Sequence, residues 1–254
     1  MIQKIFGHRG ASGQAPENTL EAFELAAKMG AQGVELDVHF SRDGALVVTH
    51  DERIERVSDG SGFVQEHTLK ELKALHFNRT HPEYRNARIP TLEEVFGLLA
   101  PTGLEINIEL KNSWIPYPGL EERVLETAAA VFDLRRVIFS SFSHASMMRM
   151  KQLAPEVRCG LRYDASMVKP WVYALMLGMD AIHPVYTEVI TPGGECAQAH
   201  RAGIRVNTWT VNNPEEIRKV LLEGADIVIT NVPDVALSCL SGMSEKTGRQ
   251  QENK

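Results

Sequence analysis

No apolar run in this 254-residue chain approaches the ~20 residues that a membrane-spanning helix requires. The opening stretch, Met1 to Phe6, is too short and too polar for a secretory leader, so a cytoplasmic protein without stable membrane association is expected. Cysteine is scarce: Cys159, Cys196 and Cys239 are three in number, widely spaced, and none belongs to a C-x-x-C pair. Such a set predicts reduced, buried thiols rather than a disulfide framework. A basic surplus is missing as well. The net charge of −6 argues against nucleic acid and anionic membranes as partners, because both call for a basic face. No Gly-rich dinucleotide fingerprint follows any predicted strand, and no long repeat or low-complexity linker interrupts the chain.

What is present is a globular composition, 43% hydrophobic and 24% charged, sufficient for a well-buried core. Short apolar strands are predicted at 2–6, 33–38, 104–110, 136–141, 157–162, 181–183, 204–210 and 227–230. Amphipathic helices alternate with them at 19–29, 92–99, 120–132, 144–153, 170–177, 194–201, 214–222 and 233–240. Eight strand–helix repeats favour a parallel sheet, and a closed (β/α)8 TIM-type barrel accommodates all eight without exposed edges. The competing architecture is a doubly wound open sheet. Residues 1–240 are read as one catalytic barrel domain with a small insertion after the second strand, about 44–88, on the face where barrels build function. That insertion carries a predicted strand at 46–49, a turn-rich piece from Ser58 to Gly62 and a short helix at 69–75. The polar tail 241–254 lacks apolar periodicity and is expected to be disordered.

Strand parity locates the chemistry. Alternate side chains share a face, so Glu35 and Asp37 point one way while their apolar neighbours point the other. In Leu104–Lys111 the alternation is strict: Glu105, Asn107, Glu109 and Lys111 share one face, and Ile106, Ile108 and Leu110 the other. Inward carboxylates at the ends of barrel strands demand compensation, because unpaired buried charge is very unfavourable. Lysine and arginine partners are one answer; a hard divalent cation, Mg²⁺ or Ca²⁺, is the other.

His8-Arg9-Gly10 follows the first strand, and His50-Asp51 follows the strand of the insertion, both on the catalytic side. Imidazole titrates near neutrality, so the two histidines suit a general acid and a general base. Arg9 offers a planar fork for phosphate oxygens and Lys111 a point charge. His39, His67, His76, His81, His144 and His200 are read as structural or surface residues, and His183, at the end of a strand, as a further candidate. Asn18 reads as a helix N-cap, with Glu21 three residues on completing a capping box. Trp209 shares parity with Asn207 at a strand's C-terminal end and suits either the core or a substrate wall.

Taken in order, His8-Arg9-Gly10, Pro16-Glu17-Asn18-Thr19, Glu35-Leu36-Asp37-Val38, Asp43-Gly44, Val47-Val48-Thr49-His50-Asp51, Glu109-Leu110-Lys111 and Trp209-Thr210-Val211-Asn212 resemble the glycerophosphodiester phosphodiesterase family. Seven motifs in order, spanning His8 to about Val235, make the resemblance specific. It implies a barrel with a small insertion, a metal at the positions matching Glu35, Asp37 and Glu109, and acid–base work at those matching His8 and His50. Arg9 and Lys111 match phosphate-contacting positions. Arg56-Val57-Ser58 stands where Arg-Thr-Thr is common, and Ser41 where Thr is common.

The expected reaction is hydrolysis of a small glycerophosphodiester to sn-glycerol 3-phosphate and an alcohol, through water or through the substrate's own neighbouring hydroxyl. A related barrel phospholipase of the sphingomyelinase D kind would want an apolar rim, for which Trp114-Ile115-Pro116-Tyr117 is the candidate. A non-catalytic binding barrel would not need both histidines and three acids. Head group, choice of metal and oligomeric state are not encoded in these motifs.

Overall fold

A computed structural model describes residues 2–191 and 195–252. The strands are β1 (Lys4–His8), β2 (Gly33–Phe40), β3 (Leu46–Val48), β4 (Glu105–Leu110), β5 (Val137–Ser141), β6 (Arg158–Tyr163), β7 (Ala181–Pro184), β8 (Arg205–Thr208) and β9 (Ile227–Thr230). The helices are α1 (Leu20–Met29), α2 (Leu69–Ala74), α3 (Leu92–Leu99), α4 (Leu120–Val131), α5 (His144–Leu153), α6 (Pro170–Met176), α7 (Tyr186–Ile190), α8 (Glu195–Arg201), α9 (Pro214–Glu223) and α10 (Pro233–Glu252). Among the described residues, eight parallel strands form one continuous sheet that closes because β1 pairs with both β9 and β2. β3 is the exception, running antiparallel beside β2. The expected (β/α)8 barrel is the observed one, and the open sheet is excluded by its closure. Among the described residues, no helix is long and apolar enough to cross a membrane.

Outward faces of the strands pack against the helices: Val34, Leu36, Ile106, Ile108 and Leu110 join Phe23, Phe96 and Val124 in one large cluster. Inside, Phe6, Ile138, Ile227 and Ile229 fill the barrel. Register places Phe6 one inward layer below His8 and Glu35, so this plug is the floor of the mouth. Gly33 makes room for it: a Cβ there would lie 2.5 Å from the Phe6 ring and 2.6 Å from the Glu105 carbonyl oxygen. Gly33→Ala should therefore cost about 1–3 kcal/mol as overpacking and lower the melting temperature by several degrees. An unchanged thermal transition would show that the floor can yield.

The insertion has its own small core of Val47, Ile54, Val57, Val64, Leu72, Phe77 and Ile89. α2 and α3 both start with capping boxes, Thr68 with Glu71 and Thr91 with Glu94. All three cysteines are buried and free.

The observed elements depart from expectation at β1, α7 and α10. β1 lies two residues later than predicted, because Ile2 is 86% exposed and has nothing to pack on, whereas Lys4 pairs with Glu105 at 2.6 Å inside the barrel. α7 was not foreseen; five residues are too few to display a helical period. α8 starts at Glu195, and Gly194, expected to open it, lies outside the described residues. The tail is helical rather than disordered as far as Glu252: the stretch after Leu240 contains Glu, Lys, Arg and Gln, which propagate a helix already nucleated at Pro233 even without an apolar stripe.

Candidate active site

The C-terminal ends of β1, β2 and β4 converge because register aligns His8 with Glu35 and Asp37 with Glu109. Glu35 and Asp37 are fully buried and Glu109 is 2% exposed. Each offers one oxygen, all within 4.8 Å of one another, a spacing suited to a single hard cation. The fit has a second support: Asp37 Oδ1 is buried and accepts no hydrogen bond. Burial, together with the Asp37 and Glu109 carboxylates, pushes the Glu35 carboxyl up to about 7. Against the cost of burial, the charges of His50, Lys111 and Arg9 hold Asp37 well below the usual carboxylate range.

The protein's own cations rim this trio. Lys111 Nζ lies 3.1 Å from Glu109 Oε1 and 3.9 Å from Asp37 Oδ1. Arg9 Nε lies 3.5 Å from Asp37 Oδ2, while its Nη1 donates to Glu17 Oε1 at 2.8 Å. Arg9 takes a left-handed backbone conformation, φ 56°, so that its own amide donates to Glu35 Oε2 at 3.2 Å. A non-glycine residue in that region costs roughly 1–3 kcal/mol, a strain that the surrounding contacts must offset.

The two histidines face the acids from different sides with different partners. His8 Nδ1 donates to Asn231 Oδ1 at 2.6 Å, which leaves Nε2 free of a proton, 3.9 Å from Glu35 Oε2. Burial, and then the Arg9 charge, lower His8 to about 3, so it is neutral at pH 7. His50 Nδ1 instead contacts a carboxylate, Asp51 Oδ1, at 2.6 Å, and its Nε2 lies 3.3 Å from Lys111 Nζ. His39 fixes the His50 backbone by donating to its carbonyl at 3.1 Å. Arg56, from the insertion, ties the mouth together: it donates to Asp51 Oδ2 at 2.6 Å and to both oxygens of Glu17 at 2.6 and 2.8 Å.

His8, Arg9, Glu35, Asp37, His50, Glu109 and Lys111 come together at this mouth, whereas Glu105 pairs with Lys4 and Arg158 toward the opposite end. Asn18 is not the cap of α1. Thr19 is, accepting from the Ala22 amide, and Asn18 instead donates to Asp37 Oδ2 at 2.9 Å. Trp209, just past β8, donates from Nε1 to the His183 carbonyl and meets Phe142 edge-on at 5.5 Å. His183 is fully buried, bonded to Asn207 and not among the contacts of the acidic trio; burial lowers it to about 3. Of the turn-rich piece only its neighbour Arg56 reaches the mouth: Ser58 is buried and Asp59 bonds to His76 within the insertion.

Sequence reasoning missed Arg162 and Asn231. Arg162 closes β6 with its Nη1 2.9 Å from both Glu35 Oε1 and Glu109 Oε2. An inward basic residue at the C-terminal end of a barrel strand is the signal that could have found it. A cavity of about 320 Å³ opens at the other end of the barrel, lined by Lys4, Glu105, Arg158, Arg205 and Asp226 among others. Its charges pair with one another and no histidine lines it.

A sequence model of the Glycerophosphoryl diester phosphodiesterase family matches residues 8–235. The chain belongs to that family. A glycerophosphodiester phosphodiesterase of Caldanaerobacter subterraneus subsp. tengcongensis is 38% identical over 235 residues, covering 92% of this chain and 96% of the relative. One from Bacillus altitudinis is 36% identical over 238 residues, 93% of this chain and 97% of the relative. Among solved structures, an Oleispira antarctica phosphodiesterase in complex with the product sn-glycerol-3-phosphate superposes with a TM-score of 0.85 at 31% identity, over 94% of this chain and 97% of that one. As a glycerophosphodiester phosphodiesterase family member the protein is an enzyme, a hydrolase of phosphodiesters.

Proposed function

We propose that the protein hydrolyses glycerophosphodiesters to sn-glycerol 3-phosphate and an alcohol, with a divalent cation at Glu35, Asp37 and Glu109 and with His8 and His50 dividing the proton transfers. The observation that carries this is the unlike pairing of two histidines across one buried acidic trio. The product bound to the Oleispira antarctica relative points to the same class of substrate.

A bound Mg²⁺ or Ca²⁺ supplies Lewis-acid polarisation of a phosphoryl oxygen. Arg9 and Lys111 stand beside the trio as donors to the remaining phosphate oxygens. His8 is held neutral by burial and by its amide partner, so its Nε2 accepts the proton of the nucleophile, water or the neighbouring glycerol hydroxyl. His50, whose Nδ1 is held by the Asp51 carboxylate and whose Nε2 lies beside Lys111, is the donor to the leaving alkoxide. Trp209 forms one wall near the variable alcohol. A panel of glycerophosphodiesters assayed with and without chelator tests this reading: no turnover of any member in the presence of metal would sink it.

Substrate scope follows from the rim. Of Trp114-Ile115-Pro116-Tyr117, Trp114 is 76% exposed, but Tyr117 is buried with its hydroxyl against His39. The insertion meets the mouth through the charged Arg56. Such a rim cannot bury acyl chains without leaving polar groups unpaired. Several deacylated glycerophosphodiesters should therefore be cleaved with similar kcat/KM, and intact phosphatidylcholine hardly at all, when both compete in one reaction. Preferential turnover of the diacyl lipid would assign the protein to the phospholipases.

A further inference from the structure

Arg162 is the cation of the site that a substrate cannot reach. Its side chain is 3% exposed, against 16% for Arg9 and 12% for Lys111. The guanidinium carbon lies 4.5 Å from the Trp209 ring and 5.4 Å from the Phe142 ring, and His144 bonds the Arg162 carbonyl at 2.8 Å. Aromatic faces and backbone thus fix it beneath the mouth.

Its single Nη1 takes one oxygen from each glutamate, Glu35 Oε1 and Glu109 Oε2, both at 2.9 Å. The opposite oxygens look elsewhere. Glu35 Oε2 faces the Arg9 amide and His8, Glu109 Oε1 faces Lys111, and Asp37 Oδ1 has no hydrogen-bond partner. The carboxylate oxygens are therefore divided into a set held from behind by Arg162 and a set left toward the mouth. A fixed positive charge so placed has two consequences. It relieves the mutual repulsion of three buried carboxylates when no metal is bound, and it opposes any second cation that arrives.

We propose that Arg162 is a resident counter-ion and positioning residue of the acidic trio, which keeps the metal-free site assembled and lowers its affinity for a divalent cation. The inference rests on the metal site of the proposed function. It predicts that neutralising Arg162 trades stability of the metal-free protein for tighter metal binding, an effect that a merely structural arginine would not produce.

The test uses EDTA-stripped full-length protein, Ca²⁺ titration calorimetry without substrate, and thermal unfolding with and without Ca²⁺. Arg162→Gln should bind Ca²⁺ at least about tenfold more tightly, because one nearby positive charge is removed. Arg162→Lys, which keeps the charge, should stay within about threefold of the wild type. The metal-free Arg162→Gln protein should unfold on the order of 5 °C lower, and saturating Ca²⁺ should recover that loss. Equal or weaker Ca²⁺ binding by Arg162→Gln, or a metal-free melting temperature unchanged from the wild type, overturns the proposal. If Arg162→Gln fails to fold even with Ca²⁺, Arg162→Lys decides: wild-type affinity upholds the proposal, and a tenfold gain overturns it. Should the wild-type protein bind no cation at all, the metal reading falls by itself, and the metal-free melting temperature alone judges Arg162.

Discussion

His8→Ala and His50→Ala should each lower kcat by about 10²–10⁴-fold, the usual contribution of one general acid or base, with melting temperatures close to the wild type. The two losses differ in kind. His8 presents an unprotonated Nε2 because Asn231 Oδ1 accepts its other proton, and so it is placed to receive one. His50 is backed by Asp51, itself held below the ordinary carboxylate range, against the cost of burial, by hydrogen bonds from His50 and Arg56. A diester whose leaving group is a nitrophenolate needs no protonation as it departs. Such a substrate should restore most of the rate to His50→Ala and little to His8→Ala. Rescue of His8→Ala instead would exchange the two roles, and equal rescue of both would contradict a division of labour.

Removal of divalent metal should abolish turnover, with Mg²⁺ or Ca²⁺ restoring it. The physical ground is the trio's geometry: three buried carboxylates with one oxygen unbonded are poised to complete a coordination shell rather than to serve as bases. Glu109→Gln keeps the side chain's shape, removes a charge and leaves Arg162 paired with Glu35. It should weaken metal binding by about 10–100-fold while the fold persists, as measured by calorimetry beside circular dichroism. Full activity in the chelated protein would exclude a metal role and leave the acids as an ion-pair network with Arg9, Lys111 and Arg162.

Much of this protein was determined by its sequence alone. Alternation along β2 and β4 put Glu35 with Asp37, and Glu109 with Lys111, on inward faces, because successive strand residues point to opposite sides whatever the rest of the chain does. Eight strand–helix repeats sufficed for the barrel, and two histidines adjoining strand ends sufficed for the mouth, since both are local patterns. Where an apolar period was absent the sequence misled, as in the five residues of α7 and the polar run that α10 carries to Glu252. Only the tertiary structure decided which charge answers which. Asn18 leaves the helix cap to Thr19 and bonds Asp37, nineteen positions on. Arg56 reaches out of the insertion to join Glu17 to Asp51. Arg162 meets Glu35 across 127 positions of sequence because closure of the barrel brings the end of β6 across its interior to β2. A side chain's face is fixed by its neighbours in the chain, but the partner that neutralises a buried charge is fixed by what the closed barrel places within 3 Å of it.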